Sequence, residues 1–349
     1  MKKIEILIKN MLLNLLLLLK RSSSKSSDTG SGDNSKILFI RLNRIGDALV
    51  STPLLHFIKQ ELNCRVYVLA DVKNFFIFRN NPDIDETIIF MKGIKGFREF
   101  FHLIKSEKVD TIVDLHDDVS TTVSFLIAMG KSKNKFGLAK SNKKIYTRTV
   151  PRLNPDDVHI VNRILELSRL FDLNPENADA CIRYVPKSES GQAAKKFISE
   201  KFKTDSPILG INISAGSDAR FWGAERYNQL IDVLSAFRLN ILVLAAPKDR
   251  DKLAQIGYGD CFVSKSFDEF ASIISHLKIL FSPDTAAIHI ASAFNVPVFG
   301  IYVHDTSDMI WSPVNIDFDF VETTEHNFKN LDFGTVIRKF KPFLEKHIK

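Results

Sequence analysis

The fold is decided by residues 36–55, KILFIRLNRIGDALVSTPLL. Residues 36–42 form a short and mostly apolar run, which is typical of a strand buried in a parallel sheet. From residue 48 to residue 62 the Leu and Ile side chains instead recur at helical spacing. The stretch therefore predicts a strand, a tight loop and a helix, which is the repeating unit of an α/β sheet.

The same alternation continues through the first half of the chain. Five further segments carry strand or helix patterns: strands at 66–70, 87–90 and 109–115, and helices at 97–105 and 119–129. An amphipathic helix over 159–171, followed by a polar and Pro-containing stretch over 172–192, indicates the end of a domain.

The alternation then restarts in the second half. Seven segments carry the patterns: strands at 208–214, 240–246, 278–282 and 296–302, and helices at 224–237, 267–277 and 285–294. A final amphipathic helix over 331–347 is expected to pack back across the domains. The chain is thus predicted to form two doubly wound α/β domains, residues 36–185 and 186–349, with a cleft between them.

The distribution of charge argues against nucleic-acid binding. The 349-residue chain has a formal net charge of +7, but residues 1–25 hold six basic residues and one acidic residue, which accounts for +5. The body of the chain is nearly neutral and lacks the basic surface of a DNA-binding protein. Cys64, Cys181 and Cys261 are widely spaced, so they predict neither a disulfide framework nor a zinc cluster.

Residues 1–21 are predicted to associate with a membrane. Leu dominates residues 4–19, but this run has only 16 residues and contains Glu5 and Lys9, whereas a span needs about 20 mostly apolar residues. We therefore expect an in-plane anchor, with residues 1–25 on an anionic membrane surface. A cleaved signal and a single span are the alternatives. Residues 22–35, rich in Ser, Gly and Asp, are predicted to form a flexible linker.

The loop after the first strand contains the first candidate site residue. In open parallel sheets, ligands lie beyond the carboxyl ends of the strands. Gly46 permits a tight turn there, and Asp47 follows it near a helix N-terminus. A carboxylate in this place can accept the proton of an attacking hydroxyl as a general base. Taken by itself, the pattern equally fits an Asp that merely caps the helix.

The turn from strand to helix at Ser282-Pro283-Asp284-Thr285-Ala286-Ala287-Ile288-His289 is the second candidate. Helix N-terminal N–H groups attract a pyrophosphate, and the small Ala286 allows a ligand to approach the backbone. Thr285 and His289 are four residues apart and share a helix face. His289 can donate to a phosphate or sugar oxygen or be structural, and Asp284 can accept donor hydroxyls or cap the helix.

The third candidate is the loop Ala215-Gly216-Ser217-Asp218-Ala219-Arg220, which also follows a strand. Gly216 and Ser217 can approach a phosphate through the backbone and a hydroxyl. Arg220 can neutralise the charge of a departing nucleotide, or it can be an ordinary solvated arginine. The cation Arg220, the small residues of this loop and the helix terminus after residue 285 could together stabilise a diphosphate leaving group.

Several other motifs are weak or missing. Asp83-Ile84-Asp85 has the form of a metal-binding DxD, but it follows Asn-Pro and suits a turn, so no metal site is predicted. No GxGxxG follows either first strand, and neither GxxxxGK[ST] nor G-x-S-x-G is present. These absences argue against three classes of enzyme: dinucleotide oxidoreductases, P-loop NTPases and hydrolases with a nucleophile elbow.

Together the three loops resemble those of a known family. Residues 36–55, GINISAGSDARFWGAERYNQL (210–230) and SPDTAAIHIASAFNVPVFGIY (282–302) are similar to the heptosyltransferase family of lipopolysaccharide core biosynthesis, glycosyltransferase family 9. The resemblance covers residues 36–345. It implies a GT-B fold, in which two Rossmann-like domains face a cleft, with a lipid-linked glycan acceptor on the first domain and a nucleotide-sugar donor on the second.

The resemblance also implies roles for particular residues. The family's catalytic base falls on Asp47, its phosphate-contacting lysine on Arg220, and its donor-binding residues on Asp284, Thr285 and His289. Transfer is then inverting and independent of metal or cofactor. The implied location is cytoplasmic, peripheral on the inner face of the inner membrane of a Gram-negative bacterium.

Three positions depart from the family pattern. Arg220 replaces the usual lysine, Ala286 replaces a common glycine, and the acidic donor contact expected after the second strand of the second domain is replaced by Lys248 followed by Asp249. ADP-heptose is the expected donor, and another nucleotide-sugar is the alternative. The remaining alternatives are a membrane-tethered sugar- or nucleotide-binding protein without activity, and a nucleotide-sugar epimerase.

Overall fold

The computed structural model describes residues 11, 13–15, 17–18, 32–203, 205–303 and 311–348. The chain divides into two compact units, Met1–Tyr184 and Val185–Lys349. Each unit contains a six-stranded parallel sheet. The prediction of two doubly wound, Rossmann-like α/β domains is therefore confirmed.

The N-terminal sheet has the strand order β3-β2-β1-β4-β5-β6. Its strands are Ser35–Arg41 (β1), Cys64–Asp71 (β2), Glu86–Phe90 (β3), Thr111–Asp114 (β4), Asn134–Ala139 (β5) and Arg148–Pro151 (β6). The α-helices described in residues 32–184 are Ile45–Leu49 (α1), Thr52–Glu61 (α2), Ile94–Glu107 (α3), Thr121–Met129 (α4) and Ile160–Leu165 (α5). Short 3-10 helices occupy Phe75–Ile77, Lys143–Ile145, Glu166–Phe171 and Pro175–Asn177.

The C-terminal sheet has the order β12-β11-β10-β7-β8-β9. Its strands are Ile208–Asn212 (β7), Asn240–Ala245 (β8), Cys261–Val263 (β9), Ile279–Pro283 (β10), Val298–Tyr302 (β11) and Phe318–Glu322 (β12). Its described α-helices are Ser188–Lys201 (α6), Ala224–Leu234 (α7), Arg250–Ile256 (α8), Phe267–Ile274 (α9), Ala286–Ala293 (α10) and Phe333–His347 (α11), with 3-10 helices at Asp218–Arg220 and Pro247–Asp249.

Both sheets reverse their direction of winding at the same point. The first and fourth strands of each unit are neighbours, which are β1 and β4 in one sheet and β7 and β10 in the other. Ligands of doubly wound sheets bind beyond the carboxyl ends of the strands at this switch point. The fold thus positions the loops after β1, β7 and β10, which contain the predicted site residues, where this rule expects a ligand.

Each sheet has its own apolar core. Side chains from β1, β2 and β4 pack with α3 and α4 in the N-terminal unit. In the C-terminal unit, Phe281 and Phe299 pack against Phe340 of the final helix α11, with ring centroids 5.2 and 4.9 Å apart. The final helix is therefore part of the C-terminal core, to which it contributes Val336 and Leu344 as well.

The helix predicted over 48–62 is two helices, α1 and α2, and the first begins earlier, at Ile45. The hydroxyl groups of Ser51 and Thr52 donate to the carbonyl oxygens of Ala48 and Leu49, each at 2.7 Å, and these bonds compete with helical pairing. Pro53 then lies at the start of α2, where a missing N–H costs nothing. Likewise, the helix predicted over 159–171 becomes a 3-10 helix from Glu166 onwards.

Several elements were not predicted at all. Strands β6, β9 and β12 lie at sheet edges, where a strand needs less apolar sequence. All three are short, and β6 and β12 also carry exposed or charged residues. Helix α6 buries only Ala194 among its 14 residues, so it lacks the apolar stripe that marks a helix in sequence. It also begins inside the polar stretch 172–192, which is predicted to end the first domain.

The predicted membrane segment and linker lie mostly outside the described residues. Of residues 1–21, the described ones are helical: Leu13 is buried and Leu17 packs against the N-terminal core, whereas Met11, Leu15 and Leu18 are exposed. Residues 22–31 of the linker are not described. No helix in the described part of the chain is long and apolar enough to cross a membrane.

Candidate active site

Asp47 lies in the first turn of helix α1, beyond the carboxyl end of β1. It caps no helix, because the capping positions of α1 and α2 are Arg44 and Ser51. Ile45 and Gly46 are already helical, and Gly46 has no positive φ, so the predicted tight turn at Gly46 is corrected to a helical first turn. The carboxylate of Asp47 remains partly exposed to solvent.

Arg41, the last residue of β1, fixes the position of Asp47. Its Nε donates to the carbonyl oxygen of Asp47 at 2.8 Å, and its Nη2 lies 3.4 Å from the carboxylate Oδ1. Nη1 donates to the carbonyl oxygen of Leu115. The guanidinium is fully buried, and that burial lowers the pKa of Arg41 while the carboxylate of Asp47 opposes the shift. A buried cation thus holds the backbone and side chain of Asp47 at once.

A buried polar network lies beside Arg41 at the end of β4. His116 Nδ1 lies 2.7 Å from the carboxylate of Asp114, which also accepts from Lys140 Nζ at 2.9 Å and from the hydroxyl of Tyr146 at 2.5 Å. These contacts hold the pKa of Asp114 far below its ordinary value, against the effect of burial. Asp114 is therefore a fixed anion beneath the loop.

The hydrogen bonds of His116 determine its tautomer. The backbone N–H of Leu42 donates to His116 Nε2 at 3.1 Å, so this nitrogen is an acceptor and the proton lies on Nδ1, toward Asp114. Burial lowers the pKa of His116, although Asp114 acts in the opposite direction. The neutral ring thereby ties the chain just after Arg41 to the end of β4.

In the C-terminal unit, Arg220 and Asp284 join the loops after β7 and β10. Arg220 Nη1 donates to the carboxylate of Asp284 at 3.1 Å and to its carbonyl oxygen at 3.0 Å. Both side chains are partly exposed. Two of the residues predicted to contact the donor are therefore neighbours, and the guanidinium remains accessible to an anion.

Asn212, at the end of β7, ties the same two loops from below. Its amide nitrogen donates to Ser282 Oγ at 2.9 Å and to the carbonyl oxygen of Ser214 at 3.2 Å. Thr285 caps helix α10, since its hydroxyl accepts from the N–H of Ala287 at 3.2 Å. Ala286 is the first residue of that helix, so the predicted strand-to-helix turn is present.

Gly216 and Ser217 are exposed on the loop after β7. A Cβ added to Gly216 would meet no atom within 4 Å, so the backbone there is open to a ligand. Lys248, just beyond β8, donates from Nζ to the carbonyl oxygen of Ala215 at 2.6 Å. A second cation therefore lies against this loop.

Asp249 does not supply an accessible acidic contact. It is buried, and its carboxylate accepts from Lys252 Nζ at 2.9 Å. Lys252 also pairs with Asp218 at 2.7 Å. The charge of Asp249 is thus used within the protein, and Lys248 is the residue exposed at this end of β8.

His289 is buried within helix α10, with its ring centroid 6.2 Å from that of Trp311. The structure places it on the same helix as Ala286 but away from solvent, so a direct contact between His289 and a donor stays a prediction. In the described part of the chain, no group of three or more His, Cys, Asp or Glu residues can hold a metal ion.

The Asp83-Ile84-Asp85 motif is occupied by structural contacts. Asp83 lies 3.0 Å from His56 Nδ1, and Asp85 accepts from Lys59 at 2.7 Å and from the N–H of Val66 at 2.7 Å. Both carboxylates therefore support the turn before β3, as the position of the motif in the sequence indicated.

Two site residues escaped the sequence analysis. Arg41 was counted as part of the apolar run 36–42, and Asn212 as part of the strand 208–214. Each is a fully or almost fully buried polar side chain at the end of a strand. A polar residue closing an otherwise apolar buried strand is the signal that would have found both, because such a group must find a partner.

Comparisons with known proteins agree with this architecture. A sequence model of glycosyltransferase family 9 (heptosyltransferase) matches residues 97–339. The chain is 26% identical over 299 residues to lipopolysaccharide heptosyltransferase 3 of Escherichia coli. The aligned region covers 77% of this chain and 83% of that protein. Asp47 lies outside the segment matched by the family model.

Two solved structures share the fold. A family 9 glycosyl transferase from Veillonella parvula superposes with a TM-score of 0.79 at 19% identity, over 91% of this chain and all of that one. E. coli heptosyltransferase WaaC, solved with ADP-2-deoxy-2-fluoro heptose, gives a TM-score of 0.66 at 16% identity, over 89% of this chain and 99% of that one. Since the family match spans most of the chain, the protein belongs to glycosyltransferase family 9, the heptosyltransferase family.

Proposed function

We propose that this protein transfers heptose, or a similar sugar, from ADP-heptose to a lipid-linked acceptor of the lipopolysaccharide core or a related surface glycan. Asp47 is the general base of an inverting, metal-independent displacement. The observation that carries the proposal is the Arg41–Asp47 arrangement, in which a partly exposed carboxylate caps no helix and is held at the switch point by a buried guanidinium.

The proposed reaction is a single displacement. Asp47 accepts the proton of an acceptor hydroxyl. At the same time, the oxygen of that hydroxyl forms a bond to the anomeric carbon of the donor sugar. The bond between that carbon and the diphosphate oxygen breaks, and the nucleoside diphosphate leaves with the electron pair. Attack opposite the leaving group inverts the anomeric configuration.

The departing diphosphate needs positive charge, and the loops of the C-terminal unit supply it. Arg220 is accessible beside the N-terminus of α10, and the open backbone of Gly216 lies on the same loop. A cation and helix N–H groups can offset the developing charge without a metal ion. Ser217, Thr285 and Ala286 complete the proposed donor contacts, together with Asp284 and His289.

The names of related proteins support the choice of donor and acceptor. The E. coli relative is a lipopolysaccharide heptosyltransferase, and a structural neighbour was solved with an analogue of ADP-heptose. Lys248 at the end of β8, beside an Asp249 that is already paired, favours testing another nucleotide-sugar as the alternative donor. A peripheral location on the inner face of the inner membrane, through residues 1–25, is part of the proposal.

Substitution of Asp47 tests the mechanism. Asp47→Asn keeps an oxygen for Arg41 but removes the base, so we expect kcat to fall by about 10²–10⁴-fold, the usual contribution of a general base. Binding of ADP, measured by calorimetry, should remain unchanged. Transfer is followed by mass spectrometry of the acceptor glycolipid, with ADP-, UDP- and GDP-sugars compared as donors.

Asp172→Asn is the matched control, because Asp172 is an exposed carboxylate of the same unit with a positive φ that Asn tolerates. Its turnover should equal that of the wild type. Wild-type turnover in Asp47→Asn would remove Asp47 from the mechanism. A wild-type protein that binds ADP but transfers no sugar would instead support the inactive binding protein.

A further inference from the structure

We propose that residues 91–96 form a second membrane contact that inserts Ile94 into the lipid surface. They comprise the connection after β3 (residues 91–93) and the first residues of α3, which begins at Ile94, and are together called the loop. The inference rests on the proposed function, since it explains how the enzyme meets a lipid-linked acceptor. It adds a contact on the folded domain to the one proposed for residues 1–25.

Two glycines define the backbone conformation of the loop. Gly93 has a φ of 91°, which favours glycine, and it precedes the first residue of α3. A Cβ on Gly96 would lie 1.6 Å from the carbonyl oxygen of Met91, so only glycine allows the backbone to fold back this closely. The two glycines therefore force Ile94, between them, to the tip.

The tip exposes apolar side chains within a basic surrounding. Ile94 is 82% exposed and Met91 is 47% exposed. Lys92 and Lys95 keep 79% and 77% of their side chains exposed, and their nearest carboxylates, Asp71 and Glu99, are 3.8 and 3.7 Å away. Exposed pairs of this length contribute little, so both ammonium groups are available to anionic headgroups while Ile94 can enter the acyl boundary.

The place of the loop in the fold agrees with this occupant. It leaves the carboxyl end of β3, and Asp47 follows the carboxyl end of β1 in the same parallel sheet. Both therefore lie at one edge of the N-terminal unit. An acceptor anchored in a bilayer reaches Asp47 most easily if that edge of the sheet touches the membrane.

The described part of the N-terminal segment provides continuity. Leu17 packs against the same core cluster that contains Phe100 and Ile104 of α3, whereas Leu15 and Leu18 are exposed. Leu17 and helix α3 thus contact the same apolar cluster of the N-terminal unit. A lipid surface is favoured as the occupant because both exposed sets are apolar and both are flanked by basic residues.

Binding of the full-length chain to vesicles tests the proposal. Ile94→Ser should lower the partition constant about tenfold on vesicles of phosphatidylglycerol and phosphatidylcholine, because most of one apolar side chain is lost from the contact. Lys92→Gln with Lys95→Gln should lower it about 25-fold on these vesicles and hardly at all on phosphatidylcholine alone.

Met129→Ser is the matched control. Met129 is 55% exposed and ends α4, which runs back to the amino edge of the same sheet. Its partition constant should equal that of the wild type. Equal binding by wild type, Ile94→Ser and Met129→Ser would overturn the proposal.

A tryptophan probe locates the insertion directly. In Ile94→Trp the added fluorescence should shift to the blue on vesicles and be quenched by brominated acyl chains, whereas Met129→Trp should show neither change. If Ile94→Ser binds vesicles normally but loses transfer to detergent-dispersed acceptor, the loop recognises the acceptor glycan and not the lipid. Vesicle binding is measured without a sugar donor. Its result therefore does not depend on whether the proposed transferase activity is found.

Discussion

Each unit has an arginine–aspartate pair at the carboxyl ends of its strands, and the two pairs differ in burial. Arg41 ends β1 and Asp47 follows it, with side-chain exposures of 0% and 19%. Arg220 and Asp284 follow β7 and β10, with exposures of 26% and 14%. In the first pair the cation is buried and the anion is the more exposed partner; in the second the cation is the more accessible one.

This difference shows how one kind of ion pair can serve two chemistries. A buried guanidinium cannot leave its carboxylate without a large desolvation cost, so Arg41 holds Asp47, the proposed base, in place. A guanidinium in contact with solvent can exchange a carboxylate for a phosphate at little cost. Arg220 is therefore suited to the proposed contact with a diphosphate, and its hydrogen bond to Asp284 orients the guanidinium.

The largest expected difference between the pairs is in stability. Arg41→Met removes the partner of Asp47 and of the Leu115 carbonyl, so the free energy of unfolding should fall by about 3 kcal/mol. Arg220→Met should cost less than about 1 kcal/mol, because the pair is partly exposed. Urea denaturation measures both. Equal losses would mean that burial does not distinguish the two pairs.

The second expected effect is on donor binding, where substitution of Arg220 should matter more than substitution of Arg41. Arg220→Ala should raise the Kd for ADP roughly 10- to 100-fold, as expected when a hydrogen bond to a charged group is lost. Arg220→Lys keeps the charge and should recover most of the affinity. Titration calorimetry is the measurement, and Arg41→Lys is the control that should leave ADP affinity unchanged. Unaltered binding by Arg220→Ala would assign the guanidinium to structure alone.

The third effect concerns the buried network beside Arg41, in which His116 contacts the carboxylate of Asp114. The pKa of His116 is lowered in the folded protein, so the unfolded chain binds its proton first as the pH falls below about 6.5. Stability is thus complete above that pH and lost below it, by about 1 kcal/mol between roughly pH 7 and pH 5.5.

His116→Gln cannot take up this proton, so the corresponding pH dependence should disappear from its urea midpoints. All other titrating groups are shared with the wild type, which isolates the contribution of His116. A wild type that became more stable toward pH 5.5 would show instead that the folded protein holds His116 protonated against Asp114.

The smallest effect sharpens the C-terminal side of the comparison. Gly216→Ala adds a Cβ where no atom lies within 4 Å, and Gly216 has no positive φ, so the melting temperature should stay unchanged. If a phosphate approaches this backbone, ADP should bind several-fold more weakly. Gly259→Ala, at an equally open and exposed glycine outside the helices of the same unit, should affect neither property. Equal ADP affinity in both variants would place the phosphates elsewhere.

Sequence patterns were most informative where burial forces periodicity. Strands β1, β2 and β4 of the first sheet and β7, β8, β10 and β11 of the second were predicted because parallel strands covered on both faces must be apolar along their length. The interior strand β5 was not predicted, because its sequence NKFGLA includes Asn, Lys and Gly. Strand β12 and helix α6 were missed because an edge strand or a solvated helix has no such requirement. In the candidate site, Asp47 and Asp284 were found from their positions after strands, whereas Arg41 was hidden inside the strand itself.

The sequence by itself determined the alternation of strands and helices, and with it the two doubly wound domains and the loops that follow β1, β7 and β10. Local periodicity and turn chemistry suffice for this, since they depend on residues close together in the chain. Only the tertiary structure decided which residues pair across loops: Arg220 with Asp284, 64 positions apart, and Arg41 with the carbonyl of Leu115, 74 positions apart. Burial and partner geometry are properties of the packed sheet, and they determine which arginine is a fixed support and which remains accessible to a ligand.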